Sequence, residues 1–513
     1  MDAIELSIFS SRIESVCDEM GAVLRRAAFS PNIKDRLDFS CAVFDLNGRL
    51  CAQAAHIPVH LGSMAYAMQG VVERFVWDEG DMVVFNDPYL GGTHLPDITV
   101  VCPVHLGNQL VGFVVNRAHH ADIGSDTPGS MPLARSLAEE GVVIEPQKIM
   151  RAHQTSAEFD EIMQALKHTV ESTGDFNAQM SANQRGAESL LAIIKACGAD
   201  VYQAGLSQLN EYGDRLMLQL LTQLPDGEYS FDDKMDDDGL GTTDINIRLR
   251  LRLQDGEVLA DFAGTSAQVA GNINCPLSVV AAAVYYVFRC LMPNNTPACF
   301  GVYQRIKITA PLGCLVNAVK PAAVAAGNVE TSSRLVDVVM GALAQAVPGS
   351  IPAASHGSMN NLAMGANTES ERWNYYETMG GGMGAGLNHP GLSARQTHMT
   401  NTLNTPIESL EMHYPLRLRR YQIRRGSGGA GCHLGGDGIV REIEFLRAAT
   451  VTLLTERRIH QPWGLAGGAA AACGENSLNG IRLAGKVSTE VIAGDVLTVN
   501  TPGGGGYGVA DEE

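Results

Sequence analysis

Between residues 4 and 27, Leu6, Phe9, Ile13, Val16, Met20, Val23 and Ala27 recur at alternating steps of three and four. That spacing predicts one amphipathic helix, which ends before Pro31. The next apolar positions change period. DFSCAVFDLNGRLCAQAAHIPVH has two short apolar runs around Asn47-Gly48, a strong hairpin signal. A turn centred there sets Asp38 opposite Ile57 and beside His56. A second hairpin is predicted in DITVVCPVHLGNQLVGFVVNRAHHAD, turning at Gly107-Asn108. It sets Asp97 opposite Ala118 and beside His119.

Residues 155–223 read mainly as helices. At Pro225-Asp226-Gly227 the pattern switches to strands in EYSFDDKMDDDG and in the alternating INIRLRLRL, followed by a buried helix in PLSVVAAAVYYVFRCLM. From about residue 400 the chain is glycine-rich with short β runs (EIEFL, TVTLLTE, VLTVN). The expectation is an α+β, multi-domain protein of mixed sheets and helices. Its parts are a metal-bearing domain over 1–225, a central α/β domain over 226–400 and a mostly β C-terminal region over 401–513. There is no convincing internal repeat and no long structureless linker, so the units should pack together.

Composition narrows the function. The chain has 513 residues, 45% apolar and 18% charged, an ordinary globular balance. A net charge of −19 repels nucleic acid and anionic lipid, which argues against both as partners. The basic group Arg417, Arg419, Arg420, Arg424 and Arg425 reads as a solvated strand face. No apolar run approaches the ~18–20 residues needed to cross a bilayer, and MDAIELSIFSSRIES lacks the marks of a signal peptide. Eleven cysteines without a C-x-x-C argue against a disulfide framework and a thiolate zinc site. The expected compartment is the cytoplasm.

Six of the fourteen histidines fall between residues 56 and 120, which concentrates metal-binding capacity there. In GGTHLPDITVV, Pro96 disfavours a helix, so His94 and Asp97 come from a loop that Gly91 and Gly92 allow to turn tightly. Candidate ligands are His94, Asp97, His119, His120, Asp122 and Asp38. Nitrogen with carboxylate oxygen suits zinc, manganese, iron or nickel. His119 and His120 should face opposite ways while the strand lasts.

Other motifs are weaker. GIRLAGKV (480–487) is nearly a phosphate-binding loop, but Val487 stands where a magnesium-binding hydroxyl belongs and both flanks read as strands. GSGGAG (426–431) and GGGGYG (503–508) read as turns. Cys41 and Cys51 read as small buried residues. The run Asp232, Asp233, Asp236, Asp237, Asp238 reads as a solvated turn, and Glu139 and Glu140 as weak acid/base candidates.

NDPYLGGTHLPDITVVCPV, followed by NRAHHADIG and PGS, resembles the B-type subunits of ATP-dependent hydantoinases and 5-oxoprolinases. Subunits of acetone carboxylase and caprolactamase are similar. The resemblance runs nearly end to end through NIKDRLDFSCAVFD, HIPVHLGSM, DFAGTSAQVAGNIN, GNVETSSR, GGGMGA, HMTNTLNTPIESLE, GGAGCHLGGDG and TPGGGGYG. Cys432 and His433 stand where relatives often carry an arginine.

The resemblance implies a divalent transition metal (zinc, manganese or iron) on His94, Asp97 and His119, with Asp38 as a further ligand or close neighbour. It leaves Asp38, His120 and Asp122 as catalytic candidates and His56 and His60 as substrate-binding candidates. It also implies an A-type partner that binds ATP, in a hetero-oligomer such as a heterotetramer. The implied reaction is ATP-dependent opening of a cyclic amide: hydantoin, 5-oxoproline or another lactam. The alternatives are an acetone-carboxylase-like subunit and a non-catalytic scaffold.

Overall fold

A computed structural model describes residues 1–54, 56–167, 169–367 and 372–510. The first helix, α1 (Ala3–Ala27), starts on an Asp2 cap that Glu5 reciprocates, and it buries Phe9, Ile13, Val16, Cys17, Met20 and Leu24. Val23 is only half-buried and Ala27 is exposed, so the buried stripe ends on Leu24. A short helix α2 (Pro31–Lys34) then leads into a sheet. Its strands are β1 (Phe39–Phe44), β2 (Leu50–Gln53), β3 (Met82–Phe85), β4 (Asp97–Leu106), β5 (Gln109–His119), β6 (Gln147–Arg151) and β7 (Gln154–Thr155), in the order β2-β1-β5-β4-β3-β6-β7. Between β2 and β3 lies α3 (Pro58–Val72).

Both hairpins form; the first keeps the expected register but is shorter than expected, and the second differs in register. In the first, Ala42 faces Gln53 and Val43 faces Ala52, but pairing stops at Gln53. Asp38 therefore never meets Ile57. Instead β1 pairs on its other side with β5, Phe39 opposite Ala118, and the Asp38 carbonyl accepts the His119 N–H at 3.0 Å. In the second, a bulge between Val104 and His105 shifts the register by one residue, so Asp97 lies directly opposite His119 rather than Ala118. One residue of slip exchanges the two faces of a strand. The bulge thus puts both side chains on one face.

After helices α4 (Leu137–Glu140), α5 (Ala157–Ala165), α6 (Thr169–Cys197) and α7 (Ala199–Leu221), a second sheet begins. Residue 168, inside the predicted helical span, lies outside the described residues. The sheet contains β8 (Gly227–Asp237), β9 (Thr243–Gln254), β10 (Glu257–Asp261) and β11 (Ile306–Thr309), in the order β11-β10-β9-β8. β9 alternates as predicted: Ile245, Ile247, Leu249, Leu251 and Leu253 point in, and Arg248, Arg250 and Arg252 point out. Helices α8 (Leu277–Cys290) and α9 (Ser332–Ala346) pack on each other, and α9 covers this sheet. One apolar core runs from α3 and the first sheet into this unit without a break. A Cβ at Gly62 of α3 would come within 2.5 Å of the Ala282 Cα, so α3 and α8 touch backbone to backbone.

The acidic run is not a solvated turn. β8 continues through it as far as Asp237, and while Asp232 is exposed, three of the other carboxylates are used internally. Asp233 pairs with Arg457 at 2.7 Å, Asp236 accepts the Arg458 and His460 N–H groups, and Asp238 accepts those of Leu240 and Thr242.

The remaining strands are β12 (Asn361–Asn367), β13 (Arg372–Glu377), β14 (Leu416–Arg424), β15 (Gly438–Phe445), β16 (Ala449–Leu454), β17 (Glu475–Leu478), β18 (Ile481–Leu483), β19 (Lys486–Val491) and β20 (Val496–Asn500). They form one sheet ordered β13-β12-β16-β19 and another ordered β14-β15-β20-β17-β18, around a third core. The near phosphate-loop match spans β18 and the start of β19, and the Lys486 ammonium is buried against Glu456 at 2.5 Å. On β14, Arg417 and Arg419 pair with Glu444 and Arg420 pairs with Glu442 on the exposed face, as expected, whereas Arg424 is half-buried and donates to the Cys473 and Thr501 carbonyls. Cys41 and Cys51 are buried, as expected. No helix among the described residues is long and apolar enough to cross a membrane.

The glycine motifs are more than turns. Gly429 donates to the Gly504 carbonyl, Gly504 to Gly436, and Gly436 to Met383, at 2.8–2.9 Å. These are extended chains packed backbone on backbone, where no side chain fits. A Cβ on Gly504 would lie 2.2 Å from the Met383 oxygen. Gly504→Ala is expected to cost about 2 kcal/mol or more through overpacking. Gly70→Ala, in α3 with nothing within 4 Å of its added Cβ, should be neutral or gain up to about 1 kcal/mol. Urea unfolding of both variants checks this; equal effects would contradict it.

Candidate metal centre

The loop before β4 is shaped by its glycines. Gly91 adopts φ 113°, and a Cβ on Gly92 would sit 2.2 Å from the Asn86 oxygen. The chain then turns at Pro96, with the Asp97 N–H bonded to the His94 carbonyl at 3.1 Å. This folds His94 back over the first residue of β4, while β5 delivers His119 across the sheet and the first turn of α3 delivers His60.

Asp97 is fully buried at the centre. Its Oδ1 lies 3.0 Å from His94 Nε2 and 3.3 Å from His119 Nδ1. Its Oδ2 accepts from Thr93 Oγ1 at 2.6 Å and Asn328 Nδ2 at 3.2 Å, and lies 3.2 Å from His60 Nε2. His94, Asp97 and His119 each present one ligand atom, all within 4.8 Å of one another. His94 Nδ1 lies 3.2 Å from the Ala325 carbonyl, which can only accept, so in the neutral ring Nδ1 carries the proton and Nε2 carries the lone pair. His94 Nε2 and Asp97 Oδ1 are both buried without a hydrogen-bond partner. Two facing lone pairs in a buried site call for a cation between them, and an N, O, N set suits a divalent transition metal. These residues fit such an ion.

With no ion bound, the electrostatics favour a proton in that gap, which shows that the gap attracts positive charge. Burial works to raise the Asp97 carboxyl, but His94 and His60 hold it well below the usual range. Burial works to lower His94, but Asp97 outweighs it and the imidazole is raised. Burial lowers His119. The His119 ring stacks on Tyr376 at 4.8 Å and 10°. A cavity of about 20 Å³ adjoins the cluster, lined on one side by Asp38, His60, His94, Asp97 and His119 and on the other by Asn328, Met359, Tyr376 and Met399. That is room for about one water or ion.

The expected site residues separate into two groups. Asp38 lines the cavity, 3.9 Å from His60 Nε2 and 3.7 Å from Arg36 Nη2. His60, expected only as a substrate contact, reaches the cluster itself. His120, Asp122 and His56 do not. His120 follows His119 and turns to the opposite side, where Nε2 meets Gln179 Oε1 at 2.9 Å and the ring packs edge-on to Phe176. Asp122 accepts the N–H groups of Gly124 and Lys167, organising a turn. His56 packs on Phe39 and accepts the Cys41 N–H, because the first hairpin stops short of it. Glu139 is exposed and accepts the Arg135 N–H, while Glu140 is buried.

Sequence reasoning missed Thr93, Asn328 and Tyr376. Thr93 was legible, since it adjoins His94. Asn328 lies in a π-helical turn, Gly327–Thr331, that no periodicity announces. Tyr376 comes from β13, more than 250 residues away in sequence, with no local signal.

A hydantoinase B/oxoprolinase family model matches residues 2–510. The chain belongs to that family. It is 40% identical over 544 aligned residues to 5-oxoprolinase 1 of Arabidopsis thaliana, covering 99% of this chain. It spans 42% of the length of that plant protein. The crystal structure of an ATP-dependent caprolactamase from Pseudomonas jessenii superposes with a TM-score of 0.92 at 26% identity, covering 99% of this chain and 91% of that one. Nucleotide-free acetone carboxylase gives 0.89 at 17% identity, over 99% and 76%, a likeness of fold.

Burial pushes Glu140 up to about 8 and Glu171 and Glu330 up to about 7. Each binds its proton more tightly folded than unfolded, so the stability it contributes is lost as pH rises through those values. Burial lowers His56, His119, His120 and His356, which oppose this only below their ordinary value of 6.5. The metal-free chain should therefore lose stability between pH 6.5 and 8. Calorimetry in chelator at the two pH values checks this; a constant or rising Tm contradicts it.

Proposed function

We propose that this chain is the metal-bearing B-type subunit of an ATP-dependent cyclic amidase, opening a hydantoin, 5-oxoproline or other lactam ring. The observation that supports it best is the convergence of His94 Nε2, Asp97 Oδ1 and His119 Nδ1, from the family's G-G-T-H-L-P-D and H-H-A-D segments, at one buried point. These three would hold zinc, manganese or iron, with Asp38 as a fourth ligand or close neighbour. Such an ion, when bound, polarises a carbonyl and lowers the pKa of water.

The chain's own groups do the rest. His60 Nε2 lies 3.2 Å from the Asp97 carboxylate and 3.9 Å from that of Asp38, and lines the cavity. It is the group placed to take a proton from an attacking water and return it to the leaving nitrogen. Asp38, braced by Arg36, keeps negative charge beside it. Arg36 is itself held by Asn32 Oδ1 and the Tyr376 carbonyl. Thr93 and Asn328 occupy the second Asp97 oxygen, so that its first remains directed at the two imidazoles. The cavity is far below the ~300 Å³ of ordinary small-molecule sites. The coil carrying Met399 and Thr400 must withdraw to admit a ring, which would break the Val59 N–H to Met399 carbonyl bond and the Asn401 side-chain bond to the His56 carbonyl.

An amide is a poor electrophile with a poor leaving group, and phosphorylation of its oxygen activates it. The near phosphate loop of this chain is strand, with its lysine committed to Glu456. ATP is therefore assigned to an A-type partner, in a cytoplasmic hetero-oligomer such as a heterotetramer. The acetone carboxylase fold supports a second reading, carboxylation of a small ketone at the same centre.

Coexpression with an ATP-binding partner, then assays of lactams against small ketones with bicarbonate, separates the two. Ring opening should need both chains and ATP, and this chain alone should turn over no ATP. His60→Gln should keep its metal and lose about 10²–10⁴ in kcat. His94→Ala should lose metal and activity together; full activity in that variant would refute the assignment.

A further inference from the structure

Glu140 poses a separate question. It closes the four-residue helix α4 and is fully buried, and the charge that acts on it most strongly is that of the His94 imidazole. A buried carboxylate is costly, and burial raises this one although His94 and two backbone N–H groups work to lower it. Its Oε2 has no hydrogen-bond partner, whereas Oε1 accepts two backbone donors, Val324 N–H at 2.7 Å and Ala325 N–H at 2.8 Å. The carbonyl of that same Ala325 faces His94 Nδ1 at 3.2 Å.

We infer that Glu140 is a positioning residue for His94: by gripping two successive amides it fixes the Ala325 carbonyl, and that carbonyl fixes the tautomer and orientation of the imidazole. Neighbouring contacts leave Glu140 as the adjustable part. Ala323 is pinned through its carbonyl by Asn274 Nδ2 at 3.0 Å, and Ala322 by the Tyr89 hydroxyl at 2.6 Å. Pro321 accepts the Leu137 N–H at 2.9 Å, which ties the segment to the start of α4. The Val324 and Ala325 N–H groups are held from the end of that helix by Glu140. Glu140 reaches neither the cavity nor the three ligand atoms, so it acts through the peptide and is not an acid or base in the reaction. Partners that hold a ligating histidine by its other nitrogen commonly set metal affinity.

This inference rests on the metal-centre reading above, and its test separates the two. Glu140→Gln keeps an acceptor oxygen at the same reach. Glu140→Asp is one methylene short and cannot span both amides. The full chain is titrated with Zn²⁺ and with Mn²⁺ against a competing chelator. Histidine-selective ¹⁵N labelling of the metal-free protein, assigned with His94→Ala, reads the His94 tautomer directly.

Glu140→Gln should bind near wild-type and keep the Nδ1-protonated tautomer. Glu140→Asp should lose about 10–100-fold in affinity and show a mixed tautomer, at a metal-free Tm comparable to that of Glu140→Gln. Wild-type affinity and tautomer in Glu140→Asp would overturn the inference, as would a Glu140→Gln loss as large as that of Glu140→Asp. A wild-type chain that takes up neither ion would instead remove the metal-centre reading, while the tautomer measurement still decides the role of Glu140.

Discussion

A carboxylate buried away from bulk solvent sits where three imidazoles converge, and the structure is arranged around its needs. Asp97 can stay ionised there only because His94, His60 and His119 surround it and Thr93 and Asn328 donate to it. The neutral His94 imidazole cannot satisfy it: the lone pair on Nε2 faces Asp97 Oδ1 with nothing between. The surroundings supply little positive charge. Arg117 is buried nearby, but it is spent on Thr99, Ser63 and the Gly91 carbonyl. A bound cation resolves the electrostatics of this cluster more simply than any rearrangement of its side chains.

The geometry depends on one irregularity. Without the bulge beyond Val104, Asp97 and His119 would occupy opposite faces of the hairpin and could share nothing. The bulge also frees His120 to turn toward α6, where Gln179 bridges it to Asn116 and the Ile98 carbonyl. One histidine of the pair serves the centre, and the other fastens the sheet to the helix behind it. The wall opposite the ligands comes from afar. Met359 and Tyr376 belong to segments that adjoin the packed glycine chains: the His356 N–H bonds the Gly382 carbonyl, and the N–H of Met379, next to Gly380, bonds the Met359 carbonyl. That gives the glycine-rich region a role at the centre without lending it a catalytic side chain.

Much of this was legible in the residues. The helix over 4–27, both hairpins and the alternating β9 follow from periodicity and turn chemistry, and the hairpin logic brought Asp97 near His119. Pattern alone could not supply the one-residue shift, because a bulge leaves the alternation on either side intact. Asp38 reached the centre by a different pairing from the one expected, since the first hairpin ends early and β1 turns to β5. The acidic run and the glycine motifs were misread for a common reason. Their partners, Arg457 and Arg458 in one case and other glycine segments in the other, lie far off in sequence, and local composition says nothing about them.

The proposed function depends on a cation held between His94 Nε2, Asp97 Oδ1 and His119 Nδ1. Diffraction from crystals of the metal-loaded chain, recorded on both sides of the metal's absorption edge, tests it most directly. The account predicts one anomalous peak about 2.0–2.2 Å from His94 Nε2, Asp97 Oδ1 and His119 Nδ1. A map without that peak at full metal supplementation, or one with the two imidazoles turned away from Asp97, would contradict it.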